Sequence, residues 1–281
     1  MRKKPVGRVR PTQKPRRPIS GKKGRVESSP AVWDQVAAWY DTLVGDLGSD
    51  YQRDVIMPGV YKLLELPEKS KVLDLACGQG VFCRYLSEKK LSAHGMDISK
   101  ELLQRAKKRS DRLIQYTLAD ASEADLLKGE SFDAVVCLLA LQNIEKLDLV
   151  FENVSRLLNP GGKFVAVVTH PCFRIPRQTH WGWDEEKRMQ YRRIDHYASE
   201  IEIPIIAPPF SDSDRYTVTY HRPLQTYVQA LSKASFWVDM IEEWSSNKVS
   251  EPGKRSRAEN RARKEIPLFM VFRARSVSSS A

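Results

Sequence analysis

Between Lys71 and Val168 the chain alternates buried-strand and helix patterns, and this alternation limits its fold more than any other feature. Lys71–Leu75, Ala93–Met96, Leu113–Leu118, Phe132–Leu139 and Lys163–Val168 read as strands, while 80–90, 99–109 and 146–158 read as helices. Asn159-Pro-Gly-Gly162 reads as the turn into the fifth strand. Strands separated by helices pair in parallel and bury both faces, so the expectation is a doubly wound α/β sheet with helices on each side. Upstream, Val32, Val36, Trp39 and Leu43 share one face of a helix over 31–44. A second helix is expected over 50–66, with Pro58 starting or kinking it.

The pattern breaks after Thr169. Residues 170–222 are rich in proline, aromatic and charged residues and show little clean periodicity. So long an irregular stretch inside a compact domain is usually functional, and a substrate lid inserted after the fifth strand is the expectation. Helical spacing returns over 223–234, with Pro223 at its start. Phe236–Trp244 and Leu268–Ala274 read as two further strands, joined by a long basic loop and forming an antiparallel edge pair.

Charge separates the folded part from its leader. Residues 1–26 hold 11 Lys or Arg and no acid, and the rest of the chain holds 35 basic and 35 acidic residues. The same leader carries Pro5, Pro11, Pro15 and Pro18, and too few large apolar groups to offset the entropy of ordering. The expected organisation is a disordered basic tail over 1–28, one domain over 29–276 containing the lid at 170–222, and a disordered end over 277–281. No apolar run approaches the roughly 18 residues that would span a bilayer, so no membrane span is expected. Cys77, Cys83, Cys137 and Cys172 form no paired Cys-x-x-Cys spacing. Neither a disulfide framework nor a metal site is therefore expected, and a reducing, cytoplasmic setting is the natural reading.

The segment Val72-Leu-Asp-Leu-Ala-Cys-Gly-Gln-Gly80 carries the strongest functional signal. It runs a buried strand into a glycine-rich turn and then a helix, whose first N–H groups stay open to a ligand. A tight βα connection would use the same residues, but Asp97 closes the second strand 17 residues after Gly80. A carboxylate there can accept hydrogen bonds from both hydroxyls of a ribose. The dinucleotide pattern G-x-G-x-x-G is not met, because Cys83 stands where the third glycine belongs. Asp120 closes the third strand; it can take the amino group of an adenine or cap the following helix.

In these segments the chain resembles the class I S-adenosylmethionine-dependent methyltransferases, especially those of ubiquinone and menaquinone biosynthesis. VLDLACGQG is similar to the family's first motif, HGMDIS to its ribose motif and LADA to its adenine position. SFDAVVCLLALQNI resembles its fourth strand, and LLNPGGKFV the turn into its fifth. The resemblance covers roughly 35–170, and the last two strands would complete the family's Rossmann-like, seven-stranded, mostly parallel sheet. It implies S-adenosyl-L-methionine as cofactor. It places Gly78, Gly80, Asp97 with Ile98, Asp120 with Ala121, and Leu138 around that cofactor, and Asp74 behind its amino end. Tyr40 resembles an aromatic residue that closes over the cofactor, whereas Trp39 reads as core. Ala76 stands where many members carry glycine.

Methyl transfer from a sulfonium mainly requires alignment and, where needed, removal of a proton. His170, directly after the fifth strand, is the candidate base, with His221 at the far end of the insert expected to face the same pocket. A strand-end cap is the alternative role for His170. Cys172 is weighed as a nucleophile and disfavoured, because the motifs that accompany nucleobase methylation are missing. Trp181, Trp183, Tyr191, Tyr197, Phe210 and Tyr216 with Arg188, Arg192 and Arg193 suit a small aromatic or anionic acceptor, methylated on O, N or C. The alternative acceptor is RNA or a ribosomal component, contacted through residues 2–25 and the basic stretch 254–264. A third reading makes the tail an organelle-targeting segment. A non-catalytic nucleic-acid binder on the same fold is the remaining alternative.

Overall fold

A computed structural model describes residues 30–207 and 216–276 of the protein. The tail expected at 1–28, the end at 277–281 and the insert residues 208–215 lie outside the described residues. The chain opens on helix α1 (Pro30–Val44), followed by a π-helical turn (Gln52–Ile56) that runs straight into α2 (Met57–Leu64). Pro58 sits in the first turn of α2, where its missing N–H costs no hydrogen bond.

Seven strands make one sheet: β1 (Lys71–Leu75), β2 (Ser92–Asp97), β3 (Gln115–Leu118), β4 (Phe132–Leu138), β5 (Leu158–Thr169), β10 (Phe236–Trp244) and β11 (Phe269–Ser276). Their spatial order is β10-β11-β5-β4-β1-β2-β3. Helices α3 (Val81–Glu88), α4 (Lys100–Arg109), α5 (Leu147–Leu157) and α6 (Leu224–Lys233) connect them. The pairs β1–β2, β2–β3, β1–β4 and β4–β5 are parallel. Strand β11 lies antiparallel between β5 and β10, as the edge-pair expectation requires, with β10 at the rim and β11 inside.

Alternation along the strands feeds two cores, one on each face. Leu73, Leu75, Val135, Cys137, Phe164 and Ala166 pack with Phe151 of α5 and Leu231 of α6. Val72, Ala134, Val136, Val165 and Val167 pack with Val60 of α2 and Phe82 of α3. The carbonyl end of α2 is closed by two buried cations: Lys163 Nζ donates to Leu64 O at 2.6 Å and Arg273 Nη1 to Leu63 O at 3.0 Å. Cations suit that end, where helix carbonyls lack partners.

Three elements differ from expectation. Strand β5 begins at Leu158, so the Asn159–Gly162 turn is its irregular first part, where its pairing with β4 shifts register. The basic stretch after β10 contains a helix, α7 (Ser256–Glu265), and is not simply a loop. The insert folds as two antiparallel hairpins: β6 (Thr179–Asp184) with β7 (Met189–Ile194), and β8 (Ile201–Ile206) with β9 (Tyr216–His221). The hairpins part ways. Strand β7 packs against α7, whereas β9 packs against α1 and the short 3-10 turn Leu141–Asn143 that follows β4.

Candidate active site

The carboxyl ends of β1 to β4 enclose a cavity of about 420 Å³. Its floor is the turn after β1, where Ala76 (φ 59°) and Gly78 (φ 57°) adopt left-handed backbone. A Cβ at Gly78 would lie 3.2 Å from the Tyr40 ring, a tight contact that adds to the strain of its left-handed backbone. Gly80 serves a different end. It does not line the cavity, and a Cβ there would meet the Tyr116 hydroxyl at 2.4 Å, so it lets α3 close on β3.

Asp97 stands at the tip of β2 and faces the cavity. Its Oδ2 accepts from Gly78 N at 2.7 Å and its Oδ1 from Ser99 N at 2.8 Å, so the same carboxylate ties the glycine turn to the start of α4. Among the described residues no cation pairs with it; burial pushes its pKa up to about 6, with backbone N–H bonds pulling the other way. Asp74 lies behind the turn and does not line the cavity. Burial, helped by the charge of Asp97, raises it to about 7, while Cys83 Sγ donates to its Oδ2 at 3.4 Å.

Asp120, Ala121 and Ile98 line the neighbouring wall. Asp120 also organises its own turn, since its Oδ1 accepts from both Ser122 N and Ser122 Oγ at 2.8 Å. No helix follows Asp120, so the capping role is replaced by a turn closed on Ser122. The opposite wall is Leu138, at the end of β4, with Leu139, Ala140 and Asn143–Lys146 beyond it.

Helix α1 forms the roof. Tyr40 and Trp33 both line the cavity, their rings edge to face at 6.0 Å. Burial and the nearby Asp97 raise the Tyr40 phenol, so it stays protonated. The roof is tied to α4 by charge: Asp41 receives Arg105 at 2.9 Å and both terminal nitrogens of Arg109. Ser99 Oγ adds a bond to Asp34 at 2.6 Å. The far rim is held from the insert. Arg222, buried just after β9, donates to Ile144 O at 2.9 Å and Glu145 O at 2.6 Å. Thr219 Oγ1 on β9 reaches Asn143 Oδ1 at 3.3 Å.

The structure does not bring the two histidines together at this cavity. His170 and His221 are both buried, and neither is among the lining residues. His170 Nδ1 accepts from the N–H groups of Cys172 (3.2 Å) and Phe173 (3.4 Å), which leaves its proton on Nε2, 2.7 Å from Glu243. Nδ1 thus caps the chain leaving β5, the alternative role, while Nε2 ties it to Glu243 of β10; burial lowers the pKa of the ring, with Glu243 pulling the other way. His221 Nε2 faces Tyr197 O at 2.8 Å. Among the described residues of the insert, the bonds to the cavity rim come from the second hairpin and the Arg222 that follows it.

Sequence reasoning missed Trp33 and Asn143–Lys146. Trp33 sits about two helical turns before Tyr40, and that seven-residue spacing is the signal that was available. Nothing in the sequence fixes the path of 143–146, because a buried arginine 76 residues further on (Arg222) holds it.

A profile described as a methyltransferase domain matches residues 73–166, the segment that builds the floor and both walls. The methyltransferase-family protein YqeM of Bacillus subtilis is 37% identical over 195 residues, spanning 63% of this chain and 77% of YqeM. The ubiquinone biosynthesis O-methyltransferase of Idiomarina loihiensis is 32% identical over 187 residues, 58% of this chain and 74% of that enzyme. An S-adenosylmethionine-dependent methyltransferase from Mesorhizobium loti superposes with a TM-score of 0.61 at 28% identity, covering 78% of this chain and 96% of that one. The cavity, the strand order and these relatives agree, and the chain belongs to the S-adenosylmethionine-dependent methyltransferases.

Proposed function

We propose that this methyltransferase modifies a small aromatic or anionic molecule, with the cofactor held across the carboxyl ends of β1 to β4. The observation that carries the cofactor placement is that one cavity gathers Gly78, Asp97 and Asp120 from three neighbouring strand ends. Asp97, when ionised, accepts from ribose hydroxyls, and Asp120 accepts from the adenine amino group. Gly78 lets the main chain touch the ligand, and a side chain there would crowd Tyr40.

The bound cofactor supplies a methyl group already activated on a sulfonium. The protein's part is alignment and exclusion of water. Tyr40 and Trp33 close the roof. Leu138–Ala140 wall the side toward β5, and Asn143–Lys146 line the rim where the acceptor enters. His170 and His221 are not assigned a proton-transfer step, because neither lines the cavity.

Support for a small acceptor comes from relatives named for small substrates, among them a demethylmenaquinone methyltransferase and a sugar N,N-dimethyltransferase. The test is methyl transfer from labelled cofactor to an extract divided into small molecules, RNA and protein. Label in the small-molecule fraction is the expected result. Label confined to RNA would replace this reading with the one built on the basic stretches 2–25 and 254–264.

A further inference from the structure

The first hairpin of the insert carries an arrangement that the cofactor cavity does not use. Trp181 on β6 presents an indole that remains 37% exposed. Two guanidiniums flank it, with Arg174 at 5.1 Å and Arg192 at 5.0 Å from the ring centroid. Both arginines are half-buried, and neither forms an ion pair with a carboxylate among the described residues.

Each guanidinium is instead anchored by neutral acceptors. Arg174 gives Nε to Pro267 O and Nη2 to Ile266 O, both at 3.3 Å. Arg192 gives Nε to Phe173 O at 2.9 Å and Nη2 to Thr179 Oγ1 at 2.6 Å. These bonds fix the two planes and leave Nη1 of each outside the bonded set. Neither Nη1 is among the buried side-chain atoms that lack a partner.

Two like charges held this close to one ring repel, and partial burial raises the cost of leaving them unneutralised. Burial and the charge of Arg192 bring Arg174 down to about 10. Cation–π attraction to Trp181 offsets part of this cost. An anion would offset the rest, and preorganised arginine donors match carboxylate and phosphate oxygens.

We propose that Arg174, Arg192 and Trp181 form a second binding site, separate from the cofactor cavity, that takes the oxyanion of a small ligand, a carboxylate or a phosphate. The two Nη1 groups donate to its oxygens, and Trp181 supplies the apolar flank. The site stands whether or not the methyl acceptor is the small molecule argued above, since none of its three residues lines that cavity.

The experiment titrates the full-length protein with inorganic phosphate and, separately, with acetate, at constant ionic strength set by chloride. It follows the arginine Nε–H and Trp181 indole signals by NMR and the melting temperature in parallel. Saturable shifts of both arginine signals, with a rise in melting temperature of about 2–4 °C, are expected. A response to phosphate alone assigns a phosphate group, and one to acetate alone a carboxylate. Arg192→Lys keeps the charge but loses the fork, and should weaken binding several-fold with the fold intact. Arg261→Gln, on the exposed face of α7, should leave binding unchanged. No saturable shift with either anion, or shifts that persist in an Arg174→Gln/Arg192→Gln variant, would overturn the site.

Discussion

The two sides of the sheet's carboxyl edge hold opposite charges in the same manner. On the β1–β4 side, Asp97 is a buried carboxylate with no paired cation among the described residues, satisfied by backbone N–H groups. On the insert side, Arg174 and Arg192 are half-buried guanidiniums with no carboxylate, satisfied by carbonyl and hydroxyl oxygens. Elsewhere the protein pairs such charges, as Asp41 does with Arg105 and Arg109, and Arg273 with Asp239. A paired charge is finished. A charge held in place only by neutral dipoles still has electrostatic free energy to release to a ligand. The contrast teaches that binding places can be sought where ions are oriented but not neutralised.

The comparison predicts which side each change will touch. The largest expected effect is on cofactor affinity. Asp97→Ala removes charge-assisted bonds contributing about 1.5–3 kcal/mol, roughly 10- to 150-fold in dissociation constant, measurable by calorimetry. Arg192→Lys should leave that constant unchanged, and a parallel loss in both variants would break the two-site picture.

Acidification should follow next. Asp97 accepts best when ionised, and its pKa of about 6 means that cofactor affinity weakens as pH falls through 6. The slope should approach tenfold per pH unit below it. Calorimetry from pH 8 to 5 should show this in the wild type and a flat profile in Asp97→Asn; equal slopes would assign the titration to another group.

A smaller effect is expected at the roof. Asp41→Asn weakens the link between α1 and α4, a partly exposed ion cluster contributing on the order of 1 kcal/mol. Cofactor dissociation in stopped-flow should quicken a few-fold, with binding at the arginine pair unaltered. The smallest change is Ala76→Gly. The left-handed backbone at Ala76 costs about 1 kcal/mol, which glycine relieves at the expense of added unfolded-state entropy. Its melting temperature should therefore shift by no more than a few degrees.

Much of the β1–β5 region was legible in the sequence because β1, β2, β4 and β5 are largely buried on both faces, and their apolar runs stop at turn residues. The placement of Asp97 and Asp120 at the cavity followed from their positions at or just past strand ends. Elsewhere the physics is non-local. The strands β6 and β7 were missed because a two-stranded hairpin with one shielded face needs few apolar residues, and here Trp181, Met189 and Tyr191 remain exposed. Helix α7 buries only Ala262 and shows no apolar stripe; Ser250 holds its side by bonding Glu259 and Arg263. The direction of His170 depends on Glu243, 73 residues later, which no local pattern announces.

The position of β11 has a consequence for how the protein is made. Synthesis runs from the N-terminus, so β10 leaves the ribosome before the strand that must lie between it and β5. Until residues 269–276 emerge, β5 is an open sheet edge and β10 has no partner to join. Val165, Val167 and Phe164, fully buried in the finished sheet, stay partly uncovered during that interval. The nascent protein thus passes through a half-closed sheet with an adhesive rim, the kind of species that chaperones hold. Closure waits until the gap between β5 and β10 is filled by β11, a strand that follows both in the chain.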